Sequence, residues 1–255
     1  MLRILLPAIP LVLAVFGPLL PLNAAPEADP LLGPENGHPL GTDALGRDVL
    51  ALVFSGGTSV AGMTLAALLL AYLLGVPLGL FAASRRRRGT DEAVLRVLDI
   101  LLAFPGLLVL MVLAAAGHRE PATLIVAAAV LQLPAVTRIV RAAALAPGCR
   151  TAVEAMYLQG MPWWRIQFGY VARSALGPVA TDAGTRLGIV LYLLASANFL
   201  GLGLPGSAPD WAVVIERNAT ALFSQPLAVL VPAALLAMLC VGANLTVDRY
   251  LARLR

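Results

Sequence analysis

Lysine is absent from this 255-residue chain; all 18 basic residues are arginine. A P-loop of the form GxxxxGK[ST] uses its lysine to reach nucleotide phosphates. The chain cannot hold ATP that way, so any ATP-driven step falls to another subunit. A Ser-Lys catalytic pair is excluded on the same ground. Charge is scarce too, at 13% of residues, about half the share usual in a soluble domain. The two cysteines, Cys149 and Cys240, share no CxxC spacing, which argues against a disulfide framework. The two histidines, His38 and His118, lie far apart with no HExxH around them and give no zinc signature. The two halves show no clear repeat, and no acid-base constellation stands in the apolar runs.

What remains is apolar sequence: 60% hydrophobic, mean hydropathy +0.87. A membrane helix takes about 20 such residues, and six runs qualify: roughly 4–22, 58–83, 94–116, 121–140, 183–204 and 226–247. The expectation is an all-α integral membrane protein with six transmembrane helices. Arg3, an apolar stretch and Leu22-Asn23-Ala24-Ala25 have the outline of a cleaved signal peptide. The near-spanning length favours an uncleaved first helix over 1–22.

Arginine placement sets orientation. Arg85–Arg88, Arg138, Arg141, Arg150, Arg165, Arg173, Arg249, Arg253 and Arg255 fall on one side; the other side holds only Arg47, Arg119 and Arg217. Both termini and a 141–182 loop are therefore expected in the cytoplasm, with 23–57, 117–120 and 205–225 facing outward. The Arg85–Arg88 block reads as a topology determinant beside anionic lipid rather than a nucleic-acid patch. Residues 58–255 then form a five-helix core carrying the 141–182 loop.

That loop is patterned, not linker-like. Ala152, Val153, Ala155, Met156 and Leu158 predict a short apolar helix with Glu154 and Gln159 exposed. Gly160 suits its end, where positive φ is needed. Pro162 suits the first turn of a second amphipathic segment carrying Trp163, Trp164, Ile166, Phe168 and Val171. Two readings fit: an interfacial helix pair anchored by tryptophan, or a docking surface for a cytoplasmic partner. Spacing alone does not choose between them.

Glu154-Ala155-Met156 followed by Gly160 resembles the EAA-x-x-x-G loop of ABC-importer permeases. Further motifs, in order, are similar to the dipeptide/oligopeptide/nickel permease family. They are His38-Pro39-Leu40-Gly41-Thr42-Asp43 with Leu45-Gly46-Arg47-Asp48-Val49, then Asp99 to Pro105, Leu133 to Arg141, and Phe199-Leu200-Gly201-Leu202-Gly203 with Trp211 beyond. The His38–Asp43 version resembles the second of two paired permeases. Met156 at the third position of the box, Ala172-Arg173 where the family often has Leu-Pro, and Ala146–Cys149 before the box depart from the pattern.

The resemblance implies the ABC type I importer permease fold and a non-catalytic subunit of an ATP-driven importer in the bacterial inner membrane. It implies a pore shared with a second, homologous permease in a heterodimer. One or two cytoplasmic ATPase subunits would bind ATP and Mg, leaving this chain no cofactor of its own, and an extracytoplasmic binding protein would deliver substrate. The cargo would be a di- or oligopeptide or a related small solute such as nickel or a metal chelate. The coupling residues would be Glu154, Ala155, Gly160, Met161, Trp164 and Arg165. Glu154 would supply directional charge, Ala155 close approach and Gly160 the turn, while the Trp163–Phe168 face ties the lever to the spans. The competing class is a self-sufficient secondary transporter.

Ionisable residues near the spans form two spaced pairs, Arg96 with Asp99 and Asp182 with Arg186. Each pair falls on one helix face. Each reads either as a self-neutralised pair at the cytoplasmic interface or as a pathway or gate contact. Asn198, Asn218 and Asn244 read as amides bonding across helices. His38 and Asp43 are too few for a metal site, and Gly41, Gly46 and Asp48 read as turn and cap residues.

Overall fold

The computed structural model describes residues 2–20, 28–34, 37–84 and 96–254. The Arg85–Arg88 block, the Asn23–Ala25 boundary and the side chains of Asn244, Arg249, Arg253 and Arg255 lie outside the described residues. Secondary structure among the described residues is helical, apart from one isolated antiparallel bridge between Thr42 and Asp48. The helices are α1 (Leu2–Phe16), α2 (Val49–Ala82), α3 (Arg96–Leu102), α4 (Gly106–Ala115), α5 (Pro121–Ala144), α6 (Pro147–Leu158), α7 (Ala172–Phe199), α8 (Trp211–Asn218) and α9 (Leu227–Leu254).

Helix α2 is the axis of the bundle. It packs along α5, with α1 and α7 on its other sides and α9 against α1 and α7. Gly75 and Gly79 make the α2–α5 approach close: a Cβ on Gly75 would fall 2.6 Å from Val136 Cγ1, and one on Gly79 2.6 Å from Val140 Cβ. Small residues spaced by four let membrane helices touch backbone to side chain, where lipid tails offer no hydrophobic drive for association. Met63, Ala67, Leu110, Leu124, Ala128, Val190 and Leu194 fill the adjoining core between α2, α4, α5 and α7. Large apolar side chains such as Leu69, Leu73, Val112 and Tyr192 face outward from the bundle.

By length and composition, α2 and α5 each suffice to cross a bilayer, and α3 with α4 make a third candidate bent by 79°. That bend divides the 94–116 run. Proline lacks the N–H that would continue the helix, and Pro105 sits at the entrance to α4.

Helix α2 also starts at Val49, not at 58. Asp48 caps it, its carboxylate accepting from the Leu50 N–H at 2.8 Å. Gly56 and Gly57 lie inside the helix beneath Trp211, where a Cβ on either would meet its ring at 2.6 Å. Trp211 is fully buried and donates its Nε1–H to the Val53 carbonyl at 2.8 Å.

The 141–182 stretch differs from expectation at both ends. Helix α5 runs on to Ala144. The second amphipathic segment is not a separate helix: it continues from Trp163 through a π-helical stretch, Arg165–Val171, directly into α7. The i→i−5 register appears in the Ala172 N–H bonding the Gln167 carbonyl.

Candidate functional site: the α6 knob and the polar centres behind it

Pro147 opens α6 at a position where a missing N–H costs nothing. The helix closes on Gly160, whose φ is +75°. The Gly160 N–H donates to the Tyr157 carbonyl at 3.0 Å, and the Met161 N–H to the Met156 carbonyl at 3.1 Å. This double bond with glycine at C′ is the Schellman arrangement. Its usual hydrophobic clasp is present, since Met156 and Met161 both pack on the cluster of Leu80, Val140, Cys149 and Ile166. One face of α6 is thereby braced against the ends of α2, α5 and the π segment.

The opposite face is open. Ala155, Gln159 and Gly160 are exposed, and Leu158 is 90% exposed. Glu154 stands at the edge, paired with Arg150 at 3.3 Å, beside a small cleft lined by Ala83, Leu145, Tyr157 and Gln167. Trp163 donates its Nε1–H to Ser84 Oγ at 2.6 Å, fastening the segment after Gly160 to the end of α2. Trp164 is exposed, and the Arg165 guanidinium lies 5.7 Å over its ring, within cation-π range.

Of the six residues assigned to coupling, Ala155, Gly160, Trp164 and Arg165 thus lie exposed, Glu154 is half-buried, and Met161 turns inward as part of the brace. The Trp163–Phe168 face is divided. Ile166, Val171 and the Trp163 indole make the tie to the bundle, while Trp164 and Phe168 stay exposed. The exposure of Leu158 has no signal in the sequence, because leucine in a periodic apolar pattern reads as core.

The second charged pair sits inside the bundle, not at its edge. Asp182 and Arg186 of α7 meet at 2.6 Å with both side chains nearly buried. The Tyr72 hydroxyl of α2 donates to Asp182 Oδ2 at 2.7 Å, and Arg186 Nη1 donates to Gln132 Oε1 of α5 at 2.8 Å. Three helices are tied by one network. Tyr72 and Gln132 carried no sequence signal, since their partners are distant in the chain. The first pair takes a partner from another helix as well: the Asp99 carboxylate meets Arg138 of α5, and Arg96 is itself engaged.

At the far end of the bundle from α6, Asp43 is completely buried. Its Oδ1 accepts from the Leu45 and Arg47 N–H groups at 2.8 and 2.9 Å. Its Oδ2 lies 3.0 Å from both Arg47 Nη2 and Arg217 Nη2. Arg47 Nη1 donates to the Ser207 carbonyl at 2.7 Å, and Arg217 Nη1 to that of Gly206. Asn218 Oδ1 accepts from the Ala44 N–H at 2.8 Å, and Gln225 Nε2 donates to the Leu32 and Leu40 carbonyls at 2.8 and 3.0 Å. Gly41 and Gly46 hold positive φ, +76° and +72°, so the turns read from the sequence are present. The segment before α2 is stapled to the loop around α8, and Asp43 spends its charge on two arginines.

This arrangement offers a braced knob, a tied bundle and a stapled cap. Residues 75–255 match the family described as binding-protein-dependent transport system inner membrane component. The chain is 27% identical over 216 residues to the glutathione transport system permease protein GsiD of Pectobacterium atrosepticum, spanning 85% of this chain and 71% of that one. It is 29% identical over 241 residues to the dipeptide transport system permease protein DppC of Alkalihalophilus pseudofirmus, spanning 93% and 79%. It is 28% identical over 243 residues to the probable D,D-dipeptide transport system permease protein DdpC of Escherichia coli, spanning 93% and 80%. Among solved structures, an inward-facing form of the MetNI methionine ABC transporter shares the fold, with TM-score 0.65 and 17% identity over 80% of this chain and 96% of that one. The family match covers most of the chain, and the chain belongs to the binding-protein-dependent transport system inner membrane components.

Proposed function

We propose that this chain is one permease subunit of an ATP-driven peptide importer, and that α6 with its Gly160 turn is the lever on which the ATPase acts. The observation that carries the coupling role is the two-faced α6. One side is clamped to the ends of α2, α5 and the π segment by Met156, Met161 and Ile166, and the other leaves Ala155, Leu158 and Gln159 exposed among the described residues. A short helix held this way moves as a rigid body with whatever docks on it, and α7, continuous with the segment after Gly160, moves with it. The peptide class rests on the relatives, which are named for glutathione and dipeptide transport. Nickel and metal chelates remain within the family's range.

The topology that goes with this reading has six spans: α1, α2, the bent α3–α4, α5, α7 and α9. Both termini and α6 lie in the cytoplasm, the Asp43 cap faces outward, and the membrane is the bacterial inner membrane. The arginine-poor loops beside the Asp43 cap support that orientation. The pore is shared with a second, homologous permease in a heterodimer. One or two ATPase subunits bind ATP and Mg, and an external binding protein delivers the cargo. The permease itself is not catalytic.

The test is peptide uptake into proteoliposomes holding the full complex. Uptake that requires ATP in the ATPase compartment and survives collapse of the proton and sodium gradients supports the reading. Uptake by this chain alone, driven by an ion gradient, replaces it with the secondary transporter.

A further inference from the structure

Between the bent α3–α4 pair and α5 lies an open groove of about 460 Å³. Leu101, Phe104 and Val109 form one wall, and Val126, Val130 and Leu131 of α5 form the other. Thr123 is the one polar side chain among its described lining residues. An apolar gap gives water too few polar partners, and leaving it empty forfeits dispersion contacts along its walls. In a bilayer the filler at hand is an acyl chain, which is as apolar as leucine.

One end of the groove leads to positive charge. Val126, Val130 and Arg138 stand four and eight residues apart along α5 and share one stripe of the helix. Arg138 meets the carboxylate of Asp99 on α3, two residues before the groove wall at Leu101. That contact uses Nη2 of a guanidinium with five donors, and the side chain stays half exposed. Arg96 stands one turn before Asp99, and Arg141 one turn after Arg138. In sequence, the stretch leading into α3, residues 85–99, carries five arginines against three acids, and Arg138 and Arg141 add two more cations. The length fits as well. Val126 lies about 18 Å along α5 from Arg138, at about 1.5 Å per residue, and half of a hydrocarbon core is about 15 Å. A tail anchored at Arg138 runs the groove to the neighbourhood of the bilayer midplane.

We propose that this groove binds one anionic phospholipid, its acyl chain along Val126 and Val130 and its headgroup on Arg138, with Arg96 and Arg141 as flanking charge. Basic side chains between membrane helices on the cytoplasmic side suit anionic headgroups, and the groove adds a fixed seat for the tail. The proposal rests on the spans and orientation of the importer reading, not on its cargo. It makes a lipid the packing partner that fills the space between α3–α4 and α5.

The experiment reconstitutes the full importer complex in phosphatidylcholine vesicles doped with a photoreactive phospholipid. The probe carries a diazirine on its acyl chain and either a phosphatidylglycerol or a phosphatidylcholine headgroup, and labelled peptides are mapped by mass spectrometry. The variants are Arg138→Gln, Asp99→Asn and Val126→Trp; all three side chains are about half exposed, so each variant is expected to fold. In the wild type the phosphatidylglycerol probe should label residues 122–131 several-fold more than the phosphatidylcholine probe. Arg138→Gln should cut that label about fivefold, the scale of one basic side chain at an anionic surface. Asp99→Asn should raise it, since Arg138 loses its competing carboxylate. Val126→Trp should lower the label from both probes by filling the groove. Equal labelling by the two probes in the wild type means ordinary boundary lipid and overturns the proposal. Label present in the chain alone but lost in the complex means that the second permease covers the groove; it overturns the proposal and leaves the importer reading standing. No acyl label on α4 or α5 under either condition removes the site and the spans it rests on. ATP-dependent peptide uptake into the same vesicles tests the importer reading separately.

Discussion

The Tyr72 hydroxyl donates to Asp182 Oδ2 at 2.7 Å, joining α2 to α7 through the one carboxylate that also neutralises Arg186. Removing the hydroxyl and removing the carboxylate should therefore differ sharply. Tyr72→Phe loses a hydrogen bond inside a membrane bundle and should cost about 0.5–2 kcal/mol. Asp182→Ala leaves Arg186 buried with only Gln132 and should cost about 3–5 kcal/mol. Thermal unfolding in mild detergent ranks the two. Equal effects would mean that Arg186 reaches water and the network is not closed.

The α2–α5 contact depends on absent side chains. In Gly79→Ala the new methyl would sit 2.6 Å from Val140 Cβ and 2.8 Å from the Thr137 carbonyl. The helices must separate, at about 1–3 kcal/mol. Val140→Ala in the same chain should recover part of that loss. The same unfolding assay checks both variants, and a Gly79→Ala protein as stable as wild type would refute the close approach.

Asp43 holds the cap. Asp43→Asn removes the carboxylate that Arg47 and Arg217 share, leaving Glu216 as the acid that still acts on Arg217, and should destabilise the cap by about 3–5 kcal/mol. Limited proteolysis reads this locally: new cleavage is expected in the 205–225 loop, with α6 still protected. Cleavage spread evenly over the chain would place Asp43 in the global fold instead.

The legible parts of this molecule were those with local causes. Gly160 signals its turn because an L-residue with a side chain strains at φ +75°, and Asp48 signals a helix start because a carboxylate satisfies free N–H groups. The start of α2 lies before the apolar run at 58–83, because Gly56 and Gly57 are covered by Trp211, a residue distant in the chain. Asp99 meets Arg138 on α5, a partner set only by helix packing. The π segment at Arg165–Val171 left no trace in the apolar pattern, because i→i−5 register follows from how Ile166 and Val171 seat in the bundle. Gly75-x-x-x-Gly79, by contrast, carries its close approach in its spacing alone.

The central claim is that the open face of α6 is where the ATPase subunits dock. The direct measurement is recovery of ATPase subunits with a C-terminally tagged chain, co-expressed with its neighbours and extracted in mild detergent. The variants are Ala155→Arg, which places a bulky cation on the exposed face, and Gly160→Val, whose backbone strain is about 1–2 kcal/mol or more with open space around the new Cβ. The account predicts that the second permease is recovered in every case and that the ATPases are weakened or lost in both variants. Full ATPase recovery with Ala155→Arg and Gly160→Val would contradict it and leave α6 an interfacial helix without a docking role.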